Sequence, residues 1–354
     1  MTSKLPSIRT VASIAGVSTA TVSNVLNARR SVAPELAERV RAAVAELGYI
    51  ADVGASRLRS RKSAVAGVVV PDLANPFFGA FVSALEQAAR KDGYELLIVS
   101  AGDDPAQEAA RLRTLLTWRP AGLIIVPCGN EVIGLDAALA ARVPLVAADR
   151  FPIGVAMDVV AVDNRAAAAE ITRHLIEGGR RHILAAASDH AIGNMHERCE
   201  GIRIAAGREA EVELLDVGHT LAEARARLTE RLTGGLPPDA LFTLNNISTL
   251  GALGAIAATG LRVPEDLALA GFDDVEWMQA VSPPVTAVRQ PVERLGAEAW
   301  ARLMARVAGD SSPPHELRLA CTLEIRESSA PAQRPADTSA IGRWAQQARR
   351  DRLS

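Results

Sequence analysis

Residues 10–27 read TVASIAGVSTATVSNVLN, and this stretch decides how the chain begins. Thr10 carries a short side-chain oxygen suited to cap a helix, and Val11–Ala15 follows as a short helix that Gly16 ends. After Val17, Ser18 caps a second helix, Thr19–Leu26, with Asn27 as its terminator. Two short helices joined by a tight turn containing glycine make a helix-turn-helix, held together in this reading by Val11, Ile14, Val17, Val22 and Val25. A third helix is expected from Pro34, just behind Ala33, to Leu47. Its apolar residues Leu36, Val40, Val44 and Leu47 recur at helical spacing, proline suits the first helical position, and Gly48 closes the run. The second helix presents Thr19, Ala20, Ser23 and Asn24 outward near its start, where a recognition helix meets base edges in the major groove. Spacing alone also fits a plain three-helix mini-domain.

Charge is segregated in a way that favours the first reading. The 354 residues carry a net charge of −2, but residues 1–62 hold ten Lys/Arg against four Asp/Glu, and residues 331–354 five against two. The stretch 63–330 is acidic, with 24 basic residues against 35 acidic. A basic head on an acidic body puts any contact with a polyanion in the head. The composition, 49% hydrophobic and 23% charged, excludes a disordered chain, a collagen-like fibre and a small disulfide scaffold, and the length suggests two or three domains. Cys128, Cys199 and Cys321 are too few and too scattered for a zinc pattern or a disulfide framework, so a reducing, cytoplasmic compartment is expected. The first sixteen residues show neither the apolar run nor the small-residue cleavage site of a secretory signal. Ala240–Leu261 is uncharged and long enough to span a bilayer. Asn245, Asn246, Ser248 and Thr249 interrupt it, however, and it divides into an apolar strand, Ala240–Leu244, and a small-residue helix, Ser248–Thr259. It reads as buried strand, loop and helix, with no membrane contact.

From Val65 onward short apolar strands alternate with helices. Strands are expected at Val65–Val70, Leu96–Val99, Gly122–Val126, Leu145–Ala148, Val159–Val162, Ile183–Ala187, Glu213–Val217, Ala240–Leu244 and Leu267–Gly271, with helices such as Phe77–Asp92 and Pro105–Thr117 between them. This alternation argues for parallel α/β sheets, and a body of about 265 residues is long enough for two lobes. Ligands of such sheets bind at the carboxyl ends of the strands. Just past strand ends lie Asn75, Phe77 and Phe78, then Asp149 and Arg150, then Asn245 and Asn246, then Asp273, while Arg198 opens the helix ERCEGIRIA. Carboxylates, amides, an arginine and an aromatic ring together suit a hydroxylated or carboxylated small molecule. Taken singly, each of these groups also fits a loop cap or an ion pair between lobes.

The run at 10–27, followed by VAPELAERVRAAVAELGYI at 32–50, resembles without gaps the DNA-binding head of the lactose-repressor (LacI/GalR) family. The resemblance continues through VVVPDLANPFF (68–78), VDNRAAA (162–168), GFDD (271–274), PPVTAVRQP (283–291) and LEIRESSA (323–330), covering about residues 8–330. It implies a three-helix helix-turn-helix head at 1–50, a hinge helix or linker at 51–62, a two-lobed periplasmic-binding-protein-like α/β body at 63–330 for effector binding and dimerisation, and a tail at 331–354 read as disordered. The tail lacks the leucine heptads of a tetramerising coiled coil, so a homodimer is expected.

By family position Thr19, Ala20 and Asn24 read bases, while Thr21 and Ser23 are better placed for phosphates. The family usually has arginine at the position of Asn24. Arginine reads guanine bidentately and asparagine suits adenine, so a changed base preference is expected there. In the hinge, ADVGASRLRSRK, Leu58 holds the position of a leucine that wedges into the minor groove, and Arg57, Arg59, Arg61 and Lys62 face phosphates. Asp52 stands where asparagine is usual and Ser56 where arginine is common; with Gly54 they point to a weaker hinge, and an ordinary linker is the alternative.

In the body the resemblance implies three crossings between lobes, near Val162–Asn164, Ala287–Gln290 and Leu319–Thr322, with the effector in the cleft. The implied contacts are Phe78, Asp149, Arg198, Asn245 and Asp273, with His219 where many members carry a ligand-packing aromatic residue. Asn246 replaces a common aspartate, Arg198 favours a carboxylate or phosphate on the ligand, and Gln290 is left unassigned. The expected function is a sequence-specific transcriptional regulator, a repressor, controlled by a small-molecule effector, a sugar or sugar acid. Its partners are double-stranded operator DNA and a second copy of the chain, with no cofactor, no metal and no catalytic residues. The alternatives are a solute-binding protein or an enzyme built on the same lobes. Against the enzyme, His182, His190 and His196 match no zinc spacing, Ser188-Asp189-His190 is mere adjacency, and neither dinucleotide nor phosphate-loop glycine motifs occur.

Overall fold

The computed structural model describes residues 6–27, 32–49, 64–132 and 134–331. These fall into two compact units, one within residues 1–63 and the other within 64–354. The expectations for Arg57, Leu58 and the rest of the hinge, and for the tail beyond Pro331, lie outside the described residues.

The first unit holds α1 (Ile8–Ala15), α2 (Thr19–Asn27) and α3 (Pro34–Leu47). Helix α1 begins three residues before the expected Val11. The Ser7 hydroxyl accepts the Thr10 N–H and the Thr10 hydroxyl accepts the Ser7 N–H, each at 3.3 Å. Thr10 is therefore the inner partner of a reciprocal capping box rather than the cap itself. Gly16 ends α1 in the left-handed region at φ 62°, and a Cβ there would fall 2.3 Å from Arg39 Nη2, which reaches in from α3. Val11, Ala12, Ala15, Val22, Val40 and Ala43 form the core, with Val17 and Val25 packed against it. Ile14 does not join the seam expected of it: it is 48% exposed, because Val11, Ala12 and Ala15 already make up the buried stripe of this short helix.

The second unit begins with β1 (Val65–Val70), α4 (Pro76–Lys91), β2 (Glu95–Ser100), α5 (Pro105–Thr117), β3 (Leu123–Ile125), α6 (Leu135–Ala140), β4 (Leu145–Ala148) and β5 (Asp158–Val162). There follow α7 (Asn164–Glu177), β6 (His182–Ala187), α8 (Gly193–Ala206), β7 (Glu211–Asp216), α9 (Leu221–Thr233), β8 (Ala240–Thr243), α10 (Asn246–Thr259), β9 (Ala268–Phe272), α11 (Trp277–Ala280) and β10 (Thr286–Arg289). The last elements are α12 (Val292–Val307), β11 (Glu316–Leu319) and β12 (Thr322–Glu324).

Two six-stranded sheets result. One has the order β11-β5-β4-β3-β1-β2 and the other β12-β10-β9-β8-β6-β7. Every pairing is parallel except β10 with β12. The chain passes between the sheets after β5, after β10 and after β11. Strands such as Val65–Val70 are buried along their whole length, as strands with helices on both faces must be. The edge strand β7 differs: it starts at Glu211, before the expected Glu213, because an edge accepts charged residues that a central strand excludes. Ala240–Leu261 resolves into β8, fully buried, and α10; no helix among the described residues is long and apolar enough to cross a membrane. Helices α7 and α8 pack so closely that a Cβ on Gly201 would lie 2.2 Å from the Arg165 carbonyl oxygen. That approach fixes the helix that carries Arg198.

Candidate functional site

In the first unit Thr19 and Ala20 are exposed at the start of α2, and Thr21, Ser23 and Asn24 are half-buried. The Ser18 hydroxyl accepts the Thr21 N–H at 3.1 Å and lies 2.9 Å from the Thr21 hydroxyl. The expected cap is therefore formed, and Thr21 serves it with the same oxygen that was assigned to a phosphate. Thr19 and Ala20 stand at the N-terminal end of α2, as base-reading side chains of a recognition helix do.

In the second unit the carboxyl ends of both sets of strands converge on one cleft between the lobes. Phe78 lies in the first turn of α4, whose N-cap Asn75 accepts the Phe77 N–H at 3.0 Å. Asp149 and Arg150 follow β4, Asp273 and Asp274 follow β9, and Asn245 caps α10 by accepting the Ser248 N–H at 2.7 Å. Asp149, Asp273 and Asp274 all sit at positive φ (59°, 87° and 40°), a strained backbone of the kind that clusters at ligand sites. Arg198 stands in the second turn of α8, not at its start as expected, because α8 already begins at Gly193.

Five of the expected contacts, Phe78, Asp149, Arg198, Asn245 and Asp273, surround one small inner cavity, together with Asn75, Asn194 and Gln290. Its free volume is about 20 Å³, room for about one water. Arg198 is buried; its Nε donates to Asn164 Oδ1 at 2.9 Å, its Nη1 to the Leu244 carbonyl at 2.5 Å, and its guanidinium lies 3.5 Å from the Phe272 ring centroid. Asp273 is saturated by donors: Asn246 N and Nδ2 at 2.9 Å each and Gln290 Nε2 at 2.7 Å. Gln290 Oε1, by contrast, is buried without a partner among the described residues. Burial pushes the Asp149 carboxyl up to about 6, with the Asp273 charge adding to the rise and Arg198 and Arg150 opposing it.

His219 is not among the residues around the inner cavity. It lines an adjoining outer chamber of about 310 Å³ with Asp72, Asn75, Phe78, Asp103, Arg150, Ser188 and Asn245. The Ser188 hydroxyl there is buried and has no partner among the described residues. Side chains also tie the lobes together. Asn246 Nδ2 donates to Asn75 Oδ1 at 2.9 Å, which an aspartate in its place could not do, and Asn130 donates to the Ala191 carbonyl. A larger cavity, about 570 Å³, lies along Phe151–Met157, α8 and β11. Its charges are spent on one another, as in Arg318–Glu197 at 3.0 Å and Arg165–Glu200 at 2.5 Å, so the strand-end cleft is the better site.

Asp103, Asn164 and Asn194 were missed in the sequence. Asp103 follows β2 and so obeys the same strand-end rule as the residues that were found, while Asp104 beside it caps α5 by accepting the Ala106 N–H at 2.7 Å. The three histidines do not gather: His182 goes to Glu213 (3.8 Å), His190 to Asp216 (2.7 Å) and His196 to Glu200 (3.7 Å). Asp189, His190 and Asp216 do come within 4.8 Å of one another, but on the surface and already hydrogen-bonded.

A helix-turn-helix unit followed by a two-lobed body with a polar cleft at its strand ends defines a ligand-responsive DNA-binding regulator. Residues 7–52 match the family described as bacterial regulatory proteins, lacI family, and residues 172–329 match the periplasmic binding protein-like domain. The ribose operon repressor of Haemophilus influenzae is 30% identical over 331 residues, covering 92% of this chain and 98% of that protein. The regulator CelR of Thermobifida fusca is 32% identical, covering 91% and 98%. Among solved structures, the lac repressor dimer bound to operator and the anti-inducer ONPF superimposes with a TM-score of 0.82 at 26% identity, covering 92% of this chain and all of that one. The chain belongs to the LacI family of bacterial regulatory proteins, and it is a helix-turn-helix transcriptional regulator.

Proposed function

We propose that the protein is a repressor that binds a pseudo-palindromic double-stranded operator as a homodimer and changes its grip when a hydroxylated small molecule, a sugar or sugar acid, enters the cleft. The observation that carries this reading is the convergence of Phe78, Asp149, Arg198, Asn245 and Asp273 on one cavity between two lobes. An aromatic face beside buried, hydrogen-bonded polar groups is the pattern of a polyol site. The inner cavity holds about one water, so the effector enters by parting these groups and extending into the outer chamber. Effector binding acts through its different affinity for the open and closed arrangements of the lobes.

Likeness to the lac repressor dimer on its operator supports the assembly and the DNA partner, and likeness to a CelR–cellobiose complex (TM-score 0.69, 29% identity) supports a sugar-like ligand. Exposed Leu221 and Leu250, on the packed pair α9 and α10, offer apolar surface to a second copy. Base reading falls to Thr19, Ala20 and Asn24, with Ser23 on phosphate. Binding rather than catalysis is supported by Ser188, whose buried hydroxyl has no hydrogen-bond partner among the described residues, and by His190, which is hydrogen-bonded to Asp216.

The test is a thermal-shift screen of the full-length protein against neutral sugars and sugar acids, followed by operator binding with each hit. A ligand that raises the melting temperature and alters operator affinity is expected, with both effects lost in Arg198→Ala. An unchanged dose response in Arg198→Ala removes Arg198 from the site.

A further inference from the structure

At the mouth of the outer chamber, three loops that follow strands bring three charged side chains together. Asp103 follows β2 and Arg150 follows β4, both in the first lobe, while His219 follows β7 in the second. Arg150 Nη1 donates to Asp103 Oδ1 at 2.6 Å and Nη2 to Oδ2 at 3.4 Å. On its other side, Asp103 Oδ2 lies 3.0 Å from His219 Nδ1. The Asp103 N–H donates to the Pro71 carbonyl at 2.9 Å, and its φ of 56° holds the carboxylate at this one place between two cations.

We propose that Asp103 is a proton-dependent closure latch: it positions Arg150 within its own lobe and, through His219, ties the opposite lobe shut over the outer chamber. The latch stands on the two-lobed geometry alone and does not depend on the effector reading. Five groups face His219. Asp103 and Arg150 come from the first lobe, with Asp72 lining the same chamber. Asp189 adds negative charge from the loop after β6, and Glu223 on α9 accepts the His219 N–H at 3.2 Å.

The direction of the pH dependence follows. The hydrogen bond to Asp103, helped by its charge and by Asp189, raises the imidazole above the ordinary histidine value of 6.5, against partial burial and Arg150. Burial alone would raise the Asp103 carboxyl, but His219 and Arg150 outweigh it and hold Asp103 at about 2, so it stays ionised across the neutral range. Closure therefore takes up a proton on His219. It is strongest below the ordinary histidine value and weakens as the pH rises through the raised one. The ties from Asn246 to Asn75 and from Asn130 to Ala191 carry no titrating group and persist, whereas the bond from Asn194 Nδ2 to Asp149 Oδ2 at 3.4 Å contains a titrating carboxyl that the test must remove.

The test uses the full-length protein with spin labels on exposed positions of the two lobes, Arg113→Cys and Arg208→Cys. Cys321 is replaced (Cys321→Ser) because it is the half-buried native thiol, while Cys128 and Cys199 are buried. Inter-lobe distances are measured between pH 6.5 and 8.5 in an Asp149→Asn background, because Asp149, held at about 6, still titrates at the lower end of that window. The closed-to-open ratio is expected to fall several-fold across the window, by no more than tenfold per pH unit for one proton. His219→Gln, which keeps a donor but not the charge, should make the profile flat. Asp103→Asn should make it flat as well, and should return the His219 imidazole, followed by NMR, to an ordinary titration. A flat profile with His219 and Asp103 both in place, or an unchanged slope in His219→Gln, overturns the proposal.

Discussion

Gly193 offers a way to hinder closure without harming either lobe. It is the first residue of α8 in the second lobe, and it rests against Phe151 in the first. A Cβ at Gly193 would lie 2.5 Å from the Phe151 carbonyl oxygen and 3.1 Å from its ring. Neither group gives way easily: the oxygen is backbone, and the buried ring is covered by the Arg318 guanidinium, 4.3 Å from its centroid. Gly193 does not occupy the left-handed region, so α8 itself accepts alanine, the better helix former. The substitution Gly193→Ala thus leaves the second lobe intact and sets a methyl group against the first. The overlap is a large fraction of an ångström. Overpacking of this kind costs about 1–3 kcal/mol, which lowers the closed-to-open ratio by roughly 5- to 150-fold. The labelled pair at positions 113 and 208 reads that ratio, and thermal denaturation reads the fold. The expected result is an opened population with a melting temperature lowered by no more than the closure free energy that is lost. An unchanged closed population, or a drop in melting temperature with closure intact, would show that a methyl group added at Gly193 does not hold the lobes apart.

Three further predictions bear on the cleft and the DNA. Asp149 is held at about 6 against an ordinary 3.8, so the fold loses the corresponding stability, about 3 kcal/mol, as the pH rises through that range. Asp149→Asn has no such group, and urea unfolding from pH 4 to 7 should show the variant gaining on the wild type by up to that amount; parallel profiles would contradict the assignment. Asn24→Arg should shift the preferred base at its position from adenine to guanine, with about 1–3 kcal/mol of discrimination in a binding competition between the two operators. Leu58→Ala, in the hinge outside the described residues, should weaken operator binding far more than binding to random duplex, and equal losses on both would count against the wedge.

Much of the fold is written locally. Period, capping residues and glycines were enough for α3, α5, β1 and β4, whose bounds agree residue for residue with the structure. Local errors had local causes: Ser7 lies outside the stretch that carries the apolar pattern, and Glu211 belongs to an edge strand that apolar runs do not reveal. The strand-end rule, with the family resemblance, brought Phe78, Asp149, Arg198, Asn245 and Asp273 to one cavity. What it could not supply was pairing across the lobes. Asp103 and His219 stand 116 positions apart, and Asn246 and Asn75 stand 171 apart. No periodicity encodes such partners, which depend on how two sheets face one another. Nor does the sequence show that the inner groups close on each other until little space is left.

If α2 sets what the head reads, the protein selects a specific operator. Selection of bound duplexes from a random pool by the full-length protein, at near-physiological salt, tests it most directly, because specificity is meaningful only where phosphate contacts are screened. The expected outcome is an enriched pseudo-palindrome with a deformable central step and adenine favoured where Asn24 reaches each half-site. Failure to enrich any sequence, with or without the ligands found by thermal shift, would contradict it, as would a strongly selected guanine at the Asn24 position.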